Sequence, residues 1–286
     1  MTETVRKHTA EHVAFSGTGS AIDPETGVAY VYGPADTHYL RSRAQAAAFS
    51  EREDFRGKQE GFTFSVMDVL HEVTSVLTKA QCGFLLLLQC HVNFGDGRLV
   101  NSDKSSMTTD DMRRVLRMKS GRRNTFYDFL RRCTESGIII ANEDGSYAIN
   151  DRYHFRGNAP IGLSVIKSYS ARIKSVYGAV RPEDLGIIYR MLPLVHYATN
   201  TLCTNPGELV PERIKSLNRK ELAEAIGISV GEISRRLPTL TVDGEYVIAK
   251  VSIGGTESYM FNPWIFYRKM TQPDETLRGI FRVKAR

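Results

Sequence analysis

The stretch "ELAEAIGISVGEISRRL", residues 221–237, reads as two short helices around a tight turn. Leu222 and Ala225 are expected on the inner face of the first helix, with Ala225 small enough for a close crossing. Gly227 supplies the positive φ that such a turn demands. Ser229 stands where an N-cap accepts free backbone N–H groups, and Glu232, three residues on, is at capping-box spacing. Val230, Ile233 and Leu237 are expected to face inward. Gly231, Glu232, Ser234, Arg235 and Arg236 are then left outward or flanking, and Pro238 stops the helix. Helix, turn, helix is the arrangement whose second helix enters the major groove in many DNA-binding proteins.

Working outward, "EYVIAKVSIGGTESYMFNP" predicts a β-hairpin turning at Gly254-Gly255, and "PEDLGIIYRMLPLVHYATN" a buried-type helix starting near Pro182. The same order occurs earlier in the chain. "FTFSVMDVLHEVTSVL" reads as an amphipathic helix, and "TKAQCGFLLLLQCHVNF" as a buried helix with Thr78 and Gln81 at capping-box spacing. In "TTDDMRRVLRM", Thr108 or Thr109 is the N-cap, and Met112, Val115, Leu116 and Met118 point inward. "SGRRNTFYDFLRRCTESG", residues 120–137, places Phe126, Phe129, Leu130 and Cys133 on one helical face and Gly137 at its C-terminal end. "GIIIANEDGSYAIN" then predicts a hairpin around Asp144-Gly145. Both hairpins run into similar words, "SYAINDRYHFR" and "SYMFNPWIFYR". At a constant offset of 112 they share Ser146/Ser258, Tyr147/Tyr259, Asn150/Asn262 and Arg156/Arg268. A repeat on this scale means one supersecondary unit used twice.

The expected fold is therefore mainly α (α+β): two tandem winged helix-turn-helix domains, each with a C-terminal β-hairpin wing, plus a mixed N-terminal arm. The expected limits are an arm over 1–60, a first winged helix over 61–157, a basic connecting segment over 158–181, a second winged helix over 182–270 and a basic tail over 271–286. In the arm, "AIDPETGVAYVY" resembles a hairpin and "ADTHYLRSRAQAAAFSERED" has helix-forming composition. In the connecting segment, Lys167, Arg172, Lys174 and Arg181 either track a nucleic-acid backbone or belong to an amphipathic connecting helix with Ile166, Tyr169, Ile173 and Tyr177 inward.

Charge singles out the first of the two repeats. Thirty-eight Lys and Arg against 32 Asp and Glu leave +6 and a pI near 9.1, so the distribution matters more than the total. Between Met112 and Arg132 the basic residues are Arg113, Arg114, Arg117, Lys119, Arg122, Arg123, Arg131 and Arg132, opposed within that segment only by Asp128. The expected DNA-binding residues are Arg113, Arg114, Arg117, Lys119, Arg122, Arg123, Asn124, Thr125, Tyr127 and Arg131 in the first repeat. In the second they are Ser229, Ser234, Arg235 and Arg236. Arginine grips guanine and asparagine adenine bidentately, while Arg113, Arg114 and Arg117 suit phosphates. Arg131 and Arg132 also read plainly as solvated residues meeting a helix C-terminus.

With these residues in view, the chain resembles the winged-helix replication proteins of Gram-positive plasmids, the RepL type, and related phage helix-turn-helix proteins. The matching words are "FTFSVMDVLHEV", "LTKAQCGFLLLLQC", "TFYDFLRRCTESGII" and "SYAINDRYHFRG". The resemblance covers about residues 60–270. It implies a non-catalytic protein of a mobile element that recognises origin or operator DNA, acting in replication initiation or control. Transcriptional regulation through the same contacts is the alternative, and a winged-helix protein–protein adaptor the third reading. The expected partners are double-stranded DNA, a second copy in a homodimer and the replication or transcription machinery.

No enzyme chemistry is expected. The seven histidines include no metal-binding pair spaced by one apolar residue, and no Gly-rich loop ends in Gly-Lys-Ser/Thr. The four cysteines, Cys82, Cys90, Cys133 and Cys203, lack metal-ligand spacing and read as buried reduced thiols. No cofactor and no metal is expected. The longest apolar run, "CGFLLLLQCHV", is too short for a membrane span, and the expected location is the cytoplasm, with the nucleoid.

Overall fold

The computed structural model describes residues 19–22, 29–32 and 61–283, apart from Gly254. The chain divides into two units at Gln59/Glu60. In the first, β1 (Gly19–Ile22) and β2 (Ala29–Tyr32) form an antiparallel hairpin. The helix-forming stretch expected over residues 35–54 lies outside the described residues.

The second unit is mixed α+β with small antiparallel sheets. Its first half runs β3 (Phe62–Val66), α1 (Leu70–Val76), α2 (Lys79–Leu88), α3 (Thr109–Val115), α4 (Arg123–Glu135), β4 (Ile139–Ala141), β5 (Tyr147–Ile149) and β6 (His154–Phe155). Its second half runs β7 (Val165–Tyr169), α5 (Ser170–Ala179), α6 (Pro182–Met191), α7 (Arg219–Ile226) and α8 (Val230–Arg236). The strands β8 (Thr241–Val242), β9 (Glu245–Tyr246), β10 (Ile248–Ile253), β11 (Thr256–Phe261) and β12 (Phe266–Tyr267) follow, and α9 (Arg278–Phe281) ends the described chain.

Two expectations need correction. Phe62–Val66 is a strand, not the start of a helix. Thr63 and Ser65 are buried, and both spend their hydroxyls on Gln89: Thr63 Oγ1 donates to its carbonyl oxygen at 2.9 Å and Ser65 Oγ to its side-chain oxygen at 3.1 Å. With polar positions inside as well as Phe64 and Val66, the strand shows no alternation for periodicity to detect. The supposed connecting segment is likewise structural, since it holds β7 and α5. The central sheet has the order β12-β7-β3-β6, so strands of both halves share one sheet. Of the two readings of this segment, tracking a backbone does not suit Lys167, which is 1% exposed, with its ammonium over the rings of Phe62 and Tyr267 at 5.2 and 5.8 Å. Burial lowers its pKa to about 8. Ile166, Tyr169, Ile173 and Tyr177 do face the core.

The halves are related by a pseudo-two-fold axis. In the β3–β7 register Phe64 faces Lys167, 103 positions on, and the flanking pairs are symmetric about them. The pair Ser65↔His154 of β3–β6 recurs as Ser168↔Phe266 of β7–β12. The bridges Val92↔Leu99 and Arg98↔Ala148 recur as Val195↔Leu202 and Thr201↔Met260. The axis also relates α2 to α6, which cross at glycine. A Cβ on Gly83 would lie 2.0 Å from the carbonyl oxygen of Pro182, and one on Gly186 only 1.7 Å from that of Lys79.

Each half then presents a helix pair and a hairpin. Thr108 caps α3 in a capping box with Asp111, and Asn218 caps α7 with Glu221. The turn after each helix needs one left-handed residue: Gly227 (φ +67°) after α7 and, in the matching place, Arg117 (φ +50°) after α3. The inner face of α7 is Leu222, Ala223 and Ile226, so Ala225 is exposed rather than at a crossing. Val230 is also exposed, at 42%, because Ile233 and Leu237 alone anchor α8. The hairpins are β4–β5, with Gly145 left-handed at the turn, and β10–β11. The basic tail docks: Phe281 is fully buried and Arg278 stacks over Trp264 at 4.4 Å. Lys284–Arg286 lie outside the described residues.

Candidate nucleic-acid interface

The sequence pointed to a cationic run over α3 and α4, and the structure divides that run in two. One group of arginines is neutralised by carboxylates one helical turn away. Arg113 pairs with Asp110 and Arg114 with Asp111, each at 2.8 Å. Arg131 lies between Asp128 and Glu135, at 2.8 Å from both, and Arg132 pairs with Asp128 at 3.0 Å. The first of these contacts, from Arg131, holds the Asp128 carboxyl below its usual range, and Asp128 in turn raises the Arg131 pKa. The charge count had stopped at Met112 and so omitted Asp110, Asp111 and Glu135, although the Thr108–Asp111 cap was legible from its spacing. Arg113 is also largely covered, at 18% side-chain exposure. Arg113 is thus held within the chain, whereas Arg114 and Arg131 stay largely exposed in surface pairs, which contribute little.

The other group is free. Arg117, Lys119, Arg122 and Arg123 are exposed and make no ion pair among the described residues. Asn124 and Thr125 are exposed beside them, and Tyr127 is 37% exposed with the Arg123 guanidinium 5.5 Å from its ring centre. The patch has a rigid floor. Phe126, Phe129, Leu130 and Cys133 bury the opposite face of α4, and Tyr177 of α5 donates its hydroxyl to the carbonyl of Leu116 at 2.8 Å. Burial pushes that phenol up to about 12, so it stays a donor. The Arg117 guanidinium rests against Gly178 of α5.

The start of α4 differs from the start of its counterpart. Ser229 caps α8, its hydroxyl accepting from Glu232 N–H at 3.1 Å. The expected return contact from Glu232 is absent; its carboxylate pairs with Lys79 of α2 at 2.9 Å and Arg236 at 3.2 Å. By contrast α4 continues a 3-10 turn over Ser120–Arg122, in which the Arg122 N–H donates to the Lys119 carbonyl at 2.9 Å, and it has no acid in its first turn. Arg122 and Arg123 stand at this end of the helix, where the dipole does not favour cations.

No protein-family model, no curated protein and no solved structure matches this chain. The interface rests on its own geometry.

The α8 residues are mostly spoken for. Ser229 is the cap. Ser234 donates to the Val230 carbonyl at 3.0 Å and accepts from Arg219 at 3.2 Å. Arg236, only 16% exposed along its side chain, pairs with the carboxylate of Asp184 on α6 as well as with Glu232. Arg235 alone among the four is exposed and without an ion pair among the described residues. In the former connecting segment Arg172 pairs with Asp243 and Glu245, and Arg181 with Asp184.

Among the described residues no three His, Cys, Asp or Glu are placed to hold a metal ion. All four cysteines are buried and free, and burial pushes the Cys82 and Cys90 thiols to about 12. No helix among the described residues is long and apolar enough to cross a membrane. What the exposed group can do is present planar cationic donors, one amide and one phenol from a stiff projecting helix to an anionic, hydrogen-bonding surface.

Proposed function

We propose that this chain is a sequence-specific double-stranded DNA-binding protein of a plasmid or phage, acting at an origin or operator in the cytoplasm. In this reading each half is a winged helix-turn-helix, with α3–α4 and α7–α8 as the helix pairs and β4–β5 and β10–β11 as the wings. The observation that carries it is the group of exposed cations at the entrance to α4, Arg117, Lys119, Arg122 and Arg123, none of which makes an ion pair among the described residues. A phosphate there would neutralise Arg122 and Arg123. Asn124 then faces the base edges, with Arg117 and Lys119 on the backbone.

Replication initiation or control is the leading role, on the RepL resemblance. Transcriptional regulation would use the same contacts. The adaptor reading is less favoured, because the exposed face of α4 is cationic rather than apolar.

The test is a mobility shift with DNA from upstream of and within the chain's own gene, at several salt concentrations. Replacing Arg122 and Arg123 together with alanine should weaken binding and lower the salt slope by about 2, one counterion for each lost phosphate contact. If affinity and slope are unchanged, the α4 assignment is wrong. Copy number of a minimal replicon carrying only this gene separates initiator from regulator.

A further inference from the structure

We infer that one copy of this chain engages one DNA duplex through both halves, on two inverted half-sites of unequal strength. This rests on the duplex-binding reading above and adds its stoichiometry and the shape of its target.

The first observation is the pseudo-two-fold axis. It passes between Phe64 and Lys167 and between the first turns of α2 and α6, which cross at Gly83 and Gly186. Both reading helices are tied to those same first turns. Gln81 of α2 donates to Asp128 of α4 at 3.0 Å. Its counterpart in α6, Asp184, accepts from Arg236 of α8. Lys79 of α2 reaches across to Glu232 of α8 at 2.9 Å. Asp128 with Arg132 on α4 corresponds to Glu232 with Arg236 on α8, four residues apart in each case. The two reading helices therefore sit at one end of the crossed pair, on either side of the axis. A protein with two-fold-related reading helices meets two-fold-related half-sites.

The second observation is that the symmetric joint is already made within the chain. Two separate copies would need an interface to hold their reading helices in register. Here β3 pairs with β7, and α2 packs on α6, inside one polypeptide. The homodimer expected from sequence becomes unnecessary for a bipartite site.

The third is inequality. α4 has 13 residues and α8 has 7; matched at their Asp128–Arg132 and Glu232–Arg236 pairs, α4 extends three residues further at its start, Arg123, Asn124 and Thr125, with Arg122 just before them. α8 presents Arg235 together with exposed Val230 and Gly231. That face is nearly neutral and small. It suits close approach to base edges and thymine methyls more than a grip on phosphates.

The experiment uses the full chain and a pool of random-sequence duplexes about four helical turns long, selected by binding. The enriched duplex is then examined by native mass spectrometry and hydroxyl-radical footprinting. The expected result is one chain per duplex and two protected patches about one helical turn apart on one face, over an imperfect inverted repeat. Arg122→Ala with Arg123→Ala should erase the stronger patch, and Arg235→Glu the weaker one. Two chains per duplex, or a one-chain complex with a single patch indifferent to Arg235→Glu, overturns the inference while leaving DNA binding in place. Enrichment of no duplex at all overturns the DNA-binding reading itself.

Discussion

Gly186→Ala tests the architecture that sets α4 and α8 apart. On an exposed helix this change should stabilise by about 1 kcal/mol, because alanine is the better helix former. Here the new Cβ would lie 1.7 Å from the carbonyl oxygen of Lys79, 2.5 Å from its carbonyl carbon and 2.9 Å from its Cα. These are backbone atoms in the first turn of α2, so no side-chain rotation relieves the overlap. The helices must part by more than an ångström. Leu185, Ile187, Ile188 and Tyr189, all fully buried, would then lose close packing along the same joint. Overpacking of this kind costs about 1–3 kcal/mol, and with rigid backbone opposed the upper end applies, so after the propensity gain of about 1 kcal/mol a net loss of about 2 kcal/mol remains. Gly83→Ala, whose Cβ meets Pro182 O at 2.0 Å, should cost somewhat less. Gly178→Ala on α5 is the control, since its Cβ would meet only the movable tip of Arg117 at 3.4 Å. Urea unfolding followed by circular dichroism reads each as a shift in midpoint at constant slope. A Gly186→Ala protein as stable as the parent would show that α2 and α6 do not cross at these glycines, and the derived placement of α4 and α8 would fall with it.

Three further outcomes follow from single residues. Arg117→Gly should raise stability by about 0.5–1 kcal/mol in thermal melts, because glycine adopts the left-handed φ of +50° without strain, yet weaken duplex binding at low salt. Arg131→Ala should weaken duplex binding less than the Arg122 and Arg123 replacement in the same mobility shift, since Asp128 and Glu135 stand beside that guanidinium and beside neither of the other two. His154 is fully buried: it is held between Ser65 and Tyr189, at 3.0 and 2.8 Å, and burial lowers its pKa to about 3. The unfolded chain takes up a proton near pH 6.5 that the folded chain refuses, so stability is complete above that pH and lost as it falls toward 3. At pH 5 the loss is on the order of 2 kcal/mol, with His91, lowered to about 4, adding in the same direction. Equal urea midpoints at pH 7 and 5 would contradict the buried neutral histidine.

Local chemistry made the helix pair around Gly227 readable: a cap at Ser229, a left-handed turn and two apolar anchors are set within 17 consecutive residues. The Thr78 and Thr108 caps and the two hairpin words were legible for the same reason. The central sheet was not. Its strands pair across roughly a hundred residues, β6 and β12 are two residues long, and β7 carries a lysine whose burial depends on rings from β3 and β12. Charge was legible as composition but not as pairing. The sequence shows Arg131 beside Arg132, but only the helical geometry shows both turned onto Asp128.

Because one scaffold occurs twice, the differences between its copies point to what each copy does. In the second half α8 is tied by charge: Asp184 binds Arg236 with its own side chain 8% exposed, and Glu232 binds Lys79. In the first half Gln81 stands in place of Asp184, and an amide contact to Asp128 is its polar tie to α4, whose apolar face is held by Phe126, Phe129, Leu130 and Cys133. Covered ion pairs require closely set partners and resist displacement, because separating them strands a desolvated charge. An amide–carboxylate contact on a more exposed surface tolerates adjustment. The second half is thus built to hold position. On the proposed function the first half, whose longer helix opens with exposed arginines, is the one that meets an anion. Exchanging Gln81 for Asp would also set a second acid beside Asp128 and repel it, so the neutral residue at this position suits a carboxylate that already serves Arg131 and Arg132.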